Sequence, residues 1–182
     1  MGVVYHIFVV KRIFSAIISF LIITVIIITP SYAAGPGDLT WLDYYEGLQK
    51  AQKENKPVFI YFYRIGCPQC KILNEEIMTD ESVKRILNEN FILIQIDGEG
   101  SKKQRDASGK MVTERQLAKD YSVVAYPLVW FLQPDGKQIY KLTGVFAVKD
   151  YLQFINYVGN GWYKKMGMKQ YLTERPEGAY RE

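Results

Sequence analysis

The chain holds only two cysteines, Cys67 and Cys70, and they follow closely on Val58-Phe59-Ile60-Tyr61-Phe62-Tyr63, an unbroken apolar and aromatic run of strand length. A run without polar alternation suits a central strand covered on both faces. A cysteine pair placed just after such a strand puts Cys67 at the N-terminus of the helix that follows. There, unpaired backbone N–H groups and the helix dipole favour a thiolate. Cys70 lies one turn further in and is expected to be shielded. Pro68 suits the first helical turn, where its missing N–H costs no needed hydrogen bond.

Counts of other residues remove most rival chemistries. Of 182 residues one is histidine, His6, and it belongs to the N-terminal segment. Ser-His-Asp hydrolysis, Cys-His proteolysis and His-ligated zinc or haem iron are therefore excluded for the body of the chain. Two cysteines cannot build a four-cysteine metal site, and a c-type haem site needs histidine where Lys71 stands. No cofactor or bound metal is expected. A formal charge of +4 is too mild to argue for nucleic acid.

Ile13 to Thr29 is uncharged, with Lys11 and Arg12 before it and Pro30-Ser31-Tyr32-Ala33-Ala34 after it. A basic flank, an apolar stretch and small residues at 31 and 33 describe a secretory signal over residues 1–33. An uncleaved anchor through residues 13–29 is the competing reading, since the stretch just reaches membrane-spanning length. Both place the body of the chain outside the cytoplasm. Gly35-Pro36-Gly37 ends a short linker at 34–37, before a domain over 38–160.

Hydrophobic spacing predicts a helix from Asp38 to Asn55, stopped by Pro57. After the cysteines it predicts helix to about Asn90, interrupted near Thr79-Asp80, then a strand at Phe91–Ile96. Residues 97–112 read as a solvated, charged loop without the spacing of an EF-hand. A short helix from Thr113 to Asp120 opens on a capping box formed by Thr113 and Gln116. Leu128–Leu132 and Gln138–Leu142 form a hairpin about Pro134-Asp135-Gly136, and Val148–Val158 is helical. The extension over 161–182, with Trp162, Tyr163, Met166 and Tyr171, is expected to end in a helix on the body. Strands separated by helices, then a closing hairpin, predict an α/β sandwich of three layers with a mixed central sheet.

Two thiols two residues apart can exchange disulfides, Cys67 attacking and Cys70 resolving. Other uses of the pair are a structural disulfide, half of a zinc site shared between chains, or Cu(I) held by both thiols. A disulfide closing so short a loop staples little chain.

Lys56-Pro57 before the apolar run, Gly66-Cys67-Pro68-Gln69-Cys70-Lys71, Tyr126-Pro127 before a strand and Asp135-Gly136 in a hairpin resemble the thioredoxin superfamily. The neighbourhood of Glu75, Glu76 and Asp80, the long charged loop and the export signal are similar to SoxW-type periplasmic thioredoxins. The resemblance implies that Pro127 is a cis-proline lying against the cysteines. It also implies that the Tyr126 backbone pairs with a substrate chain, with Gly66, Pro68 and Gln69 completing the substrate surface. It implies a reductant of protein disulfides, recharged by a thiol protein that donates electrons from the membrane. Three positions depart from the family. Gly66 stands where many relatives have tryptophan, Tyr61 where many have a buried acid, and bulky Tyr126 where a small or β-branched residue is usual. Glu75 or Glu76 could replace the acid or simply face solvent. A thioredoxin-fold binding or chaperone-like module, working through Tyr126 or the Trp162–Tyr171 tail, is the alternative from another functional class.

Overall fold

The structure, a computed structural model, describes residues 38–179. The signal or anchor segment, the linker at 34–37 and the last three residues of the extension lie outside the described residues. The elements are β1 (Trp41–Leu42), α1 (Tyr44–Glu54), β2 (Val58–Tyr63), α2 (Pro68–Ile72) running into a π-turn (Leu73–Ile77), and α3 (Glu81–Asn90). Next come β3 (Ile92–Asp97), β4 (Lys103–Arg105), β5 (Met111–Thr113), α4 (Glu114–Asp120), β6 (Leu128–Leu132) and β7 (Gln138–Thr143). α5 (Val148–Gly159), a 3₁₀ turn (Trp162–Lys164) and α6 (Met168–Glu174) complete the order. No helix among the described residues is long and apolar enough to cross a membrane.

Five strands form one mixed sheet in the order β1-β3-β2-β6-β7. β3 runs parallel to both β1 and β2, while β6 is antiparallel to β2 and β7. The α/β sandwich with a mixed central sheet is therefore the fold. β2 has a strand on either side and is covered on both faces. Phe59 and Tyr61 face the layer of the π-turn, α3, α5 and α6, whereas Val58, Ile60 and Phe62 face α1 and α4. None of these five side chains is more than 2% exposed. At roughly 1.5–3 kcal/mol per large apolar side chain, this strand is the main source of core stabilisation.

Local chemistry explains the ends of the helices. α1 stops at Asn55, which adopts a left-handed conformation (φ 53°), one of the few non-glycine residues that does so readily. Asp80 caps α3, accepting from the Ser82 and Val83 N–H groups.

Three expectations are corrected. The segment from Asp38 is not helical throughout: Trp41 and Leu42 form an edge strand on β3, and α1 begins at Tyr44. Residues 97–112 contain a β4–β5 hairpin, where Gln104 is buried between exposed Lys103 and Arg105. Its side chain accepts from the Tyr44 N–H (2.8 Å) and donates to Glu114 (2.7 Å), tying the hairpin to α1 and α4. The capping box is only half formed. The Thr113 hydroxyl accepts from the Gln116 N–H, but the Gln116 side chain turns forward to Asp120. The Thr113 position is occupied in pairing with Lys103 instead.

The extension joins the core. Tyr171 of α6 is 1% exposed, its ring 5.2 Å from Tyr157 and 6.0 Å from Trp162, and the Tyr157 hydroxyl donates to the Met166 carbonyl. Elsewhere, Tyr126 folds against Gly98 so closely that a Cβ on Gly98 would clash with the phenol group.

Two stability outcomes follow. Tyr171→Ala should cost about 3–5 kcal/mol in urea unfolding, the cost of truncating a core aromatic. Gly98→Ala should cost about 1–3 kcal/mol by overpacking, and most of that cost should vanish when it is made in a Tyr126→Ala background.

Candidate active site

β2 delivers the chain to the site and the turn after it sets the direction. Arg64-Ile65-Gly66 carries the backbone out of the sheet, with the Cys67 N–H donating to the Arg64 carbonyl. Gly66 adopts φ 76°, a conformation that glycine takes without Cβ strain. Cys67 then sits as the N-cap of α2, with Pro68 in the first turn. The Cys67 Sγ accepts from the Cys70 N–H at 3.1 Å, so one of the helix's open donors is spent on sulfur.

Cys67 and Cys70 are joined as a disulfide, their Cα atoms 5.2 Å apart. Cys67 is 8% exposed and Cys70 3%, so both are buried and the residue at the helix terminus is the less buried of the two. Both line a cavity of about 470 Å³ together with Gly66 and Pro68. Arg64 forms part of its wall, as do Lys71, Asn74 and Glu75. Gln69 is exposed in the first turn of α2 and lies outside these walls.

Tyr126 and Pro127 also lie outside the walls of that cavity. Their peptide bond is cis, and Pro127 is buried. The last β2–β6 pair is Phe62 with Leu128, which sets Pro127 beside the end of β2 from which Cys67 follows. The Pro127 carbonyl accepts from the Gly144 N–H at 2.9 Å. The Tyr126 hydroxyl is held above its ordinary pKa, first by burial and then by Glu99 and Asp97.

The charges at the cysteines are peripheral. Lys71 pairs with Glu75 at 3.9 Å and Arg64 with Glu99 at 3.6 Å, all four side chains well exposed, so these pairs contribute little stability. Glu75 stands at the cavity rim, and Glu76 is exposed on the same turn. Neither is a buried acid. In the core cluster that the π-turn joins, Tyr61 is a buried polar side chain whose pKa burial drives far upward, so it stays neutral. Among the described residues no cluster of three or more His, Cys, Asp or Glu side chains is arranged to hold a metal ion.

Arg64 and Asn74 were not singled out by sequence. Asn74 follows Cys70 by four residues and so shares its helical face, a spacing visible in the sequence. The π-turn that begins at Leu73, with the Met78 N–H donating to the Leu73 carbonyl, has no such signature.

Comparison with known proteins agrees with this geometry. The thioredoxin-like domain family matches residues 44–159, from the start of α1 to the end of α5. Mouse Spermatogenesis-associated protein 20 is 43% identical over 54 residues, 30% of this chain and 7% of that protein. The thiol:disulfide interchange protein DsbD of Campylobacter jejuni is 27% identical over 107 residues, 59% of this chain and 17% of that protein. This chain thus spans a small part of either relative. A thioredoxin-fold protein from Helicobacter pylori superposes with a TM-score of 0.59 at 22% identity, covering 72% of this chain and 90% of that one. A cysteine pair capping the helix after a buried central strand, on this sheet order and with this family match, leads to one conclusion: the chain belongs to the thioredoxin-like domain family.

Proposed function

We propose that the protein is an exported thiol–disulfide oxidoreductase that reduces protein disulfides. The observation that carries the reading is the disulfide at the N-terminus of α2, with Cys67 the less buried of its two residues, opening on a cavity. In the reduced protein the Cys67 thiolate attacks a substrate disulfide, forming a mixed disulfide and releasing one substrate thiolate. Cys70 then displaces the second substrate sulfur. Two electrons pass to the substrate, the Cys67–Cys70 bond re-forms, and the Cys70 proton leaves with the substrate thiol.

Gly66, Pro68 and Gln69, together with the Tyr126 backbone next to Pro127, form the substrate surface in this proposal. The apolar N-terminal segment and the likeness to a thiol:disulfide interchange protein support export, with a thiol protein at the membrane as electron donor. The SoxW-type periplasmic thioredoxins remain the subgroup that the charged segment and the Asp80 neighbourhood favour.

The deciding measurement is the equilibrium reduction potential of the pair in the full chain. A value near that of thioredoxin, about −270 mV, is expected of a reductant; one near −120 mV would make the protein a disulfide donor. Cys67→Ser should abolish disulfide exchange, whereas Cys70→Ser should accumulate the mixed disulfide, visible on non-reducing gels. Client binding that survives Cys67→Ser in full, without redox turnover, would instead favour the binding module.

A further inference from the structure

Reduction breaks the Cys67–Cys70 bond, and two electrons from an external thiol leave two sulfurs that carry a proton or a negative charge. Each then needs hydrogen-bond partners that the disulfide did not. Cys67 already has one, the Cys70 N–H. Cys70 is 3% exposed, so water has little access to it and a partner from the protein is favoured. The charged groups at the cavity are exposed and engaged in ion pairs.

An uncharged group with an unused hydrogen-bonding capacity lies in the core cluster that the turn after Cys70 joins. Leu73 and Ile77, the residues three and seven beyond Cys70, pack in the same cluster as Tyr61. The Tyr61 hydroxyl is fully buried and has no hydrogen-bond partner among the described residues. A hydroxyl left so is costly and calls for an explanation. Asn74 faces it from the π-turn, close enough to offset part of the effect of burial on the phenol, though the two do not meet in hydrogen-bond geometry. Asn74 also lines the cavity that holds both sulfurs. It therefore borders both the surroundings of the buried hydroxyl and the cavity of the cysteine pair, within the stretch where the helix departs from α geometry, a feature frequent at functional sites.

We propose that the Tyr61 hydroxyl and the Asn74 amide are positioning groups for the cysteine pair, supplying an uncharged hydrogen-bond partner to the Cys70 sulfur when the disulfide is reduced. This rests on the oxidoreductase reading. Tyr151, on α5, provides an internal control. Its hydroxyl is likewise buried and without a hydrogen-bond partner among the described residues, and the field of the neighbouring Tyr61 phenol acts on it.

The test equilibrates the full chain with glutathione. A partner serving only the reduced state stabilises it, so Tyr61→Phe and Asn74→Ala should each shift the equilibrium towards the disulfide. A shift of about tenfold corresponds to a potential about 30 mV lower. Tyr151→Phe should stay within about twofold of wild type. A Tyr61→Phe equilibrium within that same margin, or a Tyr151→Phe shift as large as that of Tyr61→Phe, overturns the proposal. Asn74 is exposed, so Asn74→Ala decides by the same margin if Tyr61→Phe does not fold. A wild-type pair that never equilibrates with glutathione overturns the oxidoreductase reading, and this inference with it; equal wild-type and variant equilibria overturn this inference alone.

Discussion

Everything at the site depends on the burial of β2. With a strand on either side and helices on both faces, Val58 to Phe62 have almost no contact with water, so this strand cannot slip or fray without unmaking both halves of the core. Its last residue is four positions from Cys67. The rigidity needed to hold a sulfur at a helix terminus is thus inherited from the most constrained segment of the chain. The Tyr126–Pro127 loop inherits it too, since β6 is paired with the same strand up to Phe62–Leu128.

That hierarchy explains which parts were legible in the sequence. β2 and the cysteine pair were plain because an apolar run and a two-residue spacing are signals complete in themselves. β1 was not, because Trp41 and Leu42 also satisfy the helical spacing of Tyr45 and Leu48, and a two-residue strand has no period of its own. The β4–β5 hairpin escaped because its anchor is a buried polar residue, Gln104, whose worth lies in bonds to Tyr44 and Glu114. Asn74 shares a face with Cys70 by simple spacing, but its place beside both the cavity and Tyr61 depends on a π-turn and on packing across the sheet. Neither is written locally.

Beneath the cysteines the chain is polar without being charged. Where the resemblance leads one to look for a buried acid stands Tyr61, and both glutamates of the π-turn face solvent. Ionising groups therefore reach the sulfurs only from the rim, where water screens them. Charge selectivity at the mouth and hydrogen bonding at the base are consequently separable properties here, controlled by different residues on different elements.

The packing of Tyr171 redraws the limits of the domain. The family match ends with α5 at Gly159, yet the aromatic face of that helix is completed by residues twelve positions beyond. Matched segment and folding unit do not coincide. A fragment trimmed to the matched residues would lose the edge strand β1 but keep the other four strands of the sheet and both sulfurs, while leaving the Tyr157 side of α5 as an open apolar surface, the kind that drives self-association.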